Sequence, residues 1–142
     1  MPIAEKIEKL KLDFDSLTHW EQKYEKIIEL GKMWPGLTDD LKIDDLKVKG
    51  CQSQVWIKAD LNSEKKIVFR GDSDALIVKG LVAIILTIYS NETPDTILAN
   101  DPLFLKEIGF DSGLSPSRSN GLYSMIKQVK YYATAFQYLL SK

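Results

Sequence analysis

At 142 residues, with 19 basic and 20 acidic side chains and a net charge of −1, the chain is long enough to bury a core as one domain over residues 1–142 without staples. Its basic residues are scattered rather than interleaved with aromatics, which excludes a nucleic-acid groove and a polybasic membrane patch. A single cysteine and a single histidine exclude a disulfide framework, leave too few soft ligands for a structural metal site, and point to a reducing compartment.

Residues 1–12 set Lys6, Lys9 and Lys11 beside Glu5 and Glu8, unlike a secretory or transit leader. Ile3, Ile7, Leu10 and Phe14 recur at helical spacing and predict an opening helix. Thr18 to Glu21 reads as a capping box for a second helix with Trp20, Tyr24, Ile27 and Ile28 on its apolar face. Gly31 offers that helix a stop. Residues 33–45, with Pro35, Gly36, Asp39, Asp40, Asp44 and Asp45, read as a solvated connecting loop.

Residues 46–49, 55–60 and 66–70 alternate apolar and polar side chains, predicting three short strands of an antiparallel meander with a turn at Asn62, Ser63 and Glu64. Asp72 or Ser73 can cap a helix over residues 75–88 that is apolar on nearly every face and hence buried. The near-apolar run at 80–88 is far short of the roughly 20 residues of a membrane span, so a cytoplasmic, membrane-free protein is expected. Thr93-Pro94 and Asp101-Pro102 open two short helices, and Ser115-Pro116 precedes a long stripe from Leu122 to Leu140. Helices, then strands, then helices predict an α+β fold in which a small sheet of about three strands is covered by N-terminal, central and C-terminal helices.

Cys51 falls in the loop between the first two expected strands. Gly50 allows a sharp turn before the sulfur, and Gln52, Ser53 and Gln54 surround it with polar groups. The thiol is either an inert buried group or a reactive one, and this setting favours the reactive reading. If the strands pair as expected, the helix start near Asp72 and Ser73 would bring its positive end to the thiol and lower its pKa. A self-contained hydrolase would need a base, and the single candidate, His19, sits at the first turn of a helix as a surface residue. Asp72 and Asp74 resemble a metal-binding acid pair but read more simply as helix caps. The segment from Ser115 to Gly121 is either a capped helix start or an anion site built from backbone amides and Arg118. No glycine-rich phosphate loop is present in the sequence.

Three strings, in order and in register, resemble the SufE family of sulfur-acceptor proteins of iron–sulfur cluster assembly. They are Gly50-Cys51-Gln52-Ser53-Gln54-Val55-Trp56, Gly71-Asp72-Ser73-Asp74-Ala75 leading to Val78-Lys79-Gly80-Leu81, and Leu114-Ser115-Pro116-Ser117-Arg118-Ser119-Asn120-Gly121-Leu122. The residue after the cysteine leans toward the SufE form over its paralogue CsdE. The resemblance implies a U-type-scaffold-like α+β fold and a thiol, Cys51, that accepts sulfur as a persulfide from a SufS-like cysteine desulfurase. It further implies stimulation of that desulfurase and delivery of the sulfur to a SufBCD-like scaffold complex. No cofactor of the chain's own is implied, since pyridoxal phosphate belongs to the desulfurase. It also implies that Gln52 positions the loop, that Asp74 restrains the loop or meets the desulfurase, that Arg118 docks a partner carboxylate or steadies the loop, and that the resting thiol is tucked against apolar surface with a raised pKa. Two rival readings stand beside it: a stand-alone hydrolase using Cys51 and His19, and a non-covalent adaptor whose cysteine is incidental. The oligomeric state is left open.

Overall fold

A computed structural model describes residues 2–142 apart from the side chains at 111 and 112, so Met1 of the expected domain lies outside the described residues. Helices α1 (Ile3–Asp15) and α2 (Trp20–Met33) lead into a connection with two 3-10 turns, Asp39–Leu41 and Asp44–Leu46. Strands β1 (Val55–Leu61) and β2 (Ile67–Ser73) pair antiparallel. There follow α3 (Leu76–Tyr89), the short helices α4 (Pro94–Ala99), α5 (Leu103–Glu107) and α6 (Phe110–Gly113), and the long α7 (Pro116–Leu140). The fold is α+β, a small antiparallel sheet packed against helices.

The register pairs Val55 with Ser73, Ile57 with Gly71, Ala59 with Phe69 and Leu61 with Ile67. Val55, Ile57, Ile67 and Phe69 turn inward, as a two-residue period dictates when one face of a sheet is buried. The hairpin turn falls where expected. Asn62 accepts at Oδ1 from the backbone N–H of Glu64 and of Lys66 (both 3.0 Å), and Lys65 takes the left-handed conformation at φ 62°.

The first expected strand is reduced to a single bridge, Lys47 to Trp56, beside one bond from Val48 N–H to Val55 O (2.8 Å). Two local features shorten it. The chain winds into a 3-10 turn up to Leu46, and Gly50, at φ +90°, turns it away again, so only Lys47 and Val48 lie alongside β1.

Helix α3 is the centre of the core, with Leu81, Val82, Ile85 and Leu86 fully buried. It packs against β2, α2 and α7. Gly31 does not end α2, which runs on to Met33. Gly31 instead lies where α2 and α3 touch: a Cβ there would sit 2.8 Å from Gly80 N, and a Cβ at Gly80 only 2.0 Å from Ile27 O. Backbone-to-backbone contact of this kind leaves no room for a methyl on either helix.

Two helix starts are shifted from expectation. His19, not Thr18, is the N-cap of α2, and Gln22 rather than Glu21 reaches back, its Oε1 accepting from Thr18 N–H (3.2 Å) and His19 N–H (3.4 Å). Neither Asp72 nor Ser73 is the N-cap of α3, because β2 continues through both and Ala75 takes that position. Thr93 and Ser115 cap α4 and α7 as read from the sequence, accepting from Thr96 N–H (3.2 Å) and Arg118 N–H (3.4 Å).

Asp72, 5 % exposed, ties the 34–48 connection to the outer face of the sheet. Its Oδ2 accepts from Leu37 N–H (2.9 Å) and its Oδ1 from Ser73 N–H (2.8 Å), while Lys42 (3.6 Å) and Lys79 (3.7 Å) supply positive charge. Trp34 Nε1 donates to Gly71 O (2.8 Å) beside it, and Lys42 lies 5.8 Å above the ring of Trp56. Burial alone would raise the Asp72 pKa, yet the backbone donors of Leu37 and Ser73, with Lys79 and Lys42, hold it below the ordinary value.

Gly80→Ala is expected to destabilise the protein by about 2–3 kcal/mol through overpacking between α2 and α3, read as a lower urea midpoint at unchanged slope. A depressed carboxyl pKa contributes stability that is complete above the unfolded value of about 3.9 and disappears as pH falls through the lower folded value. Urea midpoints should therefore drop below about pH 4, and Asp72→Asn should flatten part of that acid dependence while costing about 2 kcal/mol at neutral pH.

Candidate functional site

The register of the hairpin places Cys51. With Val55 opposite Ser73, the next pair outward is Gln54 and Asp74, and three bonds hold it. Asp74 Oδ1 accepts from Gln54 N–H (3.0 Å), Asp74 N–H donates to Gln54 O (3.3 Å), and Ser73 Oγ donates to Gln54 O (2.8 Å). Ser73 Oγ also accepts from Ala75 N–H (3.2 Å), joining the same clamp to the start of α3. The other end of the loop is held by the Val48–Val55 bond. Residues 49–53 thus form a short loop closed at its base, with Cys51 near its tip.

Cys51 is half-buried. It lies on an open cleft of about 560 Å³ whose lining includes Gln52, Ser53, Leu76, Arg118, Gly121 and Met125. Its thiol donates weakly to Gly121 O (3.6 Å). The first turns of α3 and α7 both reach this cleft, through Leu76 and Ile77 on one side and Ser117 and Arg118 on the other. Helix first-turn amides have no intrahelical acceptor and carry the positive end of the dipole, so the cleft suits a sulfur anion or a carboxylate. Arg118 adds a full positive charge, its guanidinium 6.0 Å over the ring of Tyr24.

The thiol itself is not activated at rest. Burial pushes Cys51 above its ordinary pKa, contrary to the expectation that the helix start would lower it. The starts of α3 and α7 do line the cleft, but burial of the sulfur raises its pKa.

The structure brings Cys51, Gln52 and Arg118 to one cleft, with Asp74 one step away at the loop base. Gln52 stands exposed on the rim, and the bonds that fix the loop fall on Ser73 and Asp74. His19 is exposed at the start of α2 and does not line the cleft; it lies about 13 Å along the helix axis from Ile28, which does. Asp72 and Asp74 do not act as a pair: one is buried among lysines and the other binds Gln54. Among the described residues, no three His, Cys, Asp or Glu side chains gather to hold a metal ion, and no helix is long and apolar enough to cross a membrane. Sequence reasoning missed Ser73, whose two bonds look in sequence like an ordinary cap, and Leu76, 49 % exposed at the cleft, whose only signal was an apolar residue at a helix start.

Residues 8–133 match the family model described as "SufE: Fe-S metabolism associated domain". The fold is similar to the solution structure of a hypothetical protein from Thermus thermophilus, with a TM-score of 0.75, 19 % identity, and coverage of 93 % of this chain and 96 % of that one.

With the loop clamped, the alkylation rate of Cys51 by iodoacetamide should rise with pH to a midpoint above the free-thiol value of about 8.5. Ser73→Ala and Asp74→Ala should each speed alkylation at pH 7.5 and move the midpoint down toward that value. Rates indistinguishable from wild type in both variants would show that the clamp does not hold the thiol.

Proposed function

The chain belongs to the SufE family of Fe–S metabolism associated domains, and from that premise we propose that residues 1–142 act as a single SufE-like sulfur carrier of the cytoplasm. In this reading Cys51 takes sulfane sulfur from the persulfide of a cysteine desulfurase, stimulates that enzyme by clearing its thiol, and hands the sulfur to an iron–sulfur scaffold complex. The observation that carries the reading is the position of Cys51. It sits at the tip of a base-clamped loop, on a cleft edged by two helix starts and Arg118, with the chain's one histidine elsewhere.

The chemistry is an exchange with no net oxidation. Cys51 loses its proton, and its thiolate attacks the terminal sulfur of the donor persulfide. A new Sγ–S bond forms as the donor S–S bond breaks. The donor thiolate leaves with the electron pair and takes up a proton. Delivery repeats the exchange with Cys51 as the leaving group.

A raised resting pKa keeps the free thiol quiet toward oxidants and wrong electrophiles. Docking on a partner then has two tasks: to draw the tip of the loop out of the cleft and to supply the base that is missing beside the thiol. The arrangement of the bonds suits that division, since the thiol makes one long hydrogen bond, to Gly121 O (3.6 Å), beside its packing on the core, while the base is held by several short bonds. Arg118 and the exposed Leu76 supply a charged and an apolar contact beside the thiol, and arginine is among the residues enriched at interface centres. Asp74 restrains the loop through Gln54 and Gln52 presents an amide at the rim.

Incubation with a cysteine desulfurase and free cysteine should add the mass of one sulfur atom to the intact protein. The gain should be absent from Cys51→Ser and unaffected by His19→Ala. Stimulation of the desulfurase by Cys51→Ser equal to wild type would instead support a non-covalent adaptor, and thiol hydrolase activity without a desulfurase would support the hydrolase.

A further inference from the structure

The glycines at the centre of the fold are explained by backbone contact, as at Gly80, where a Cβ would meet Ile27 O at 2.0 Å. Gly121 is different. It lies inside α7, where glycine is a poor helix former and alanine the best. A Cβ built on it would meet one atom outside its own helix within 4 Å, Cys51 Sγ at 3.7 Å, which is ordinary van der Waals contact. Neither the packing of α7 nor the free thiol therefore requires glycine at this position. The thiol's bond is to the backbone carbonyl of Gly121, which alanine would keep.

We propose that Gly121 is a positioning residue for the sulfur-loaded form: its bare Cα leaves the space into which the second sulfur on Cys51 folds. The inference rests on the sulfur-carrier reading above. Persulfide formation, with the bonds and protons exchanged as described there, sets a sulfur about 2.05 Å beyond Sγ. Turned toward α7, that sulfur would come inside the roughly 3.5 Å contact distance of a methyl at position 121, whereas glycine leaves it clear. There it would lie over Gly121 and Met125 on the cleft floor, near the first turns of α3 and α7 and Arg118, where negative charge on the terminal sulfur is favoured. A methyl at position 121 would leave the empty thiol in place and force the loaded one outward.

The test compares the loaded with the empty form of the whole chain. Wild type and Gly121→Ala are loaded by a cysteine desulfurase with free cysteine, separated from it, and challenged with dithiothreitol while intact mass follows the bound sulfur. The variant should lose its sulfur roughly fivefold faster, the change in exposed fraction that overpacking by one methyl produces. Its free thiol should react with iodoacetamide at the wild-type rate, and its melting temperature should be equal or higher. Gly121→Ser, of similar bulk, should behave as the alanine variant does. Equal sulfur loss in wild type and variants would overturn the inference while leaving the carrier reading intact. Faster alkylation of the empty thiol by the same factor would also overturn it, because the methyl would then have displaced the loop itself. If wild type takes up no sulfur at all, the carrier reading fails and the inference with it.

Discussion

The pairing of Gln54 with Asp74, one step beyond the last rung of the β1–β2 ladder, is the constraint on which the site depends. It closes the cysteine loop at its base, and through Ser73 it attaches that base to the first residue ahead of α3. The sulfur, the central helix and the sheet thus share one hydrogen-bonded corner. A slip of the ladder by one residue would turn the inward residues of one strand outward, so the burial of Val55, Ile57 and Phe69 also enforces the register that positions Cys51. Hydrophobic burial, the strongest term in the fold, sets the geometry of the most polar part of the molecule.

Two electrostatic effects compete at the thiol. The converging starts of α3 and α7, with Arg118, favour a negative sulfur in the cleft. Desolvation of the half-buried side chain disfavours it and raises the pKa of the empty thiol. The balance differs for any group that reaches further into the cleft or is drawn out of it, because solvation and distance to the helix ends both change with a displacement of a few ångströms. In the proposed carrier reading, that sensitivity suits a thiol that is unreactive when alone and reactive when docked. The short loop over residues 49–53 is fixed at both ends, and its thiol meets the core and Gly121 O.

Asp72 shows how a motif can be recognised in sequence while its local role is misread. Beside Ser73 and Asp74 it has the composition of a helix N-terminus, and a cap is the natural expectation. The structure continues β2 through Asp72 and Ser73, and the 34–48 connection folds over them. Each of the three polar residues then does something else: Asp72 anchors the connection, Ser73 ties strand to helix, and Asp74 holds the loop. The deciding partners, Leu37, Lys42 and Gln54, lie 19 or more residues away in the chain.

The order of helices and strands, the helical faces of α1, α2 and α7, the caps at Thr93 and Ser115, and the turn at Asn62 were all legible in the sequence, because each rests on contacts between residues a few positions apart. So was the family, carried by three short strings of residues. Tertiary structure alone decided that Gly31 is a helix contact rather than a helix end and that residues 46–49 make one bridge instead of a strand, and it chose the raised over the lowered pKa of the two expectations held for the thiol. Those outcomes turn on how closely distant segments approach and how much water they exclude. Local spacing carries no information about either.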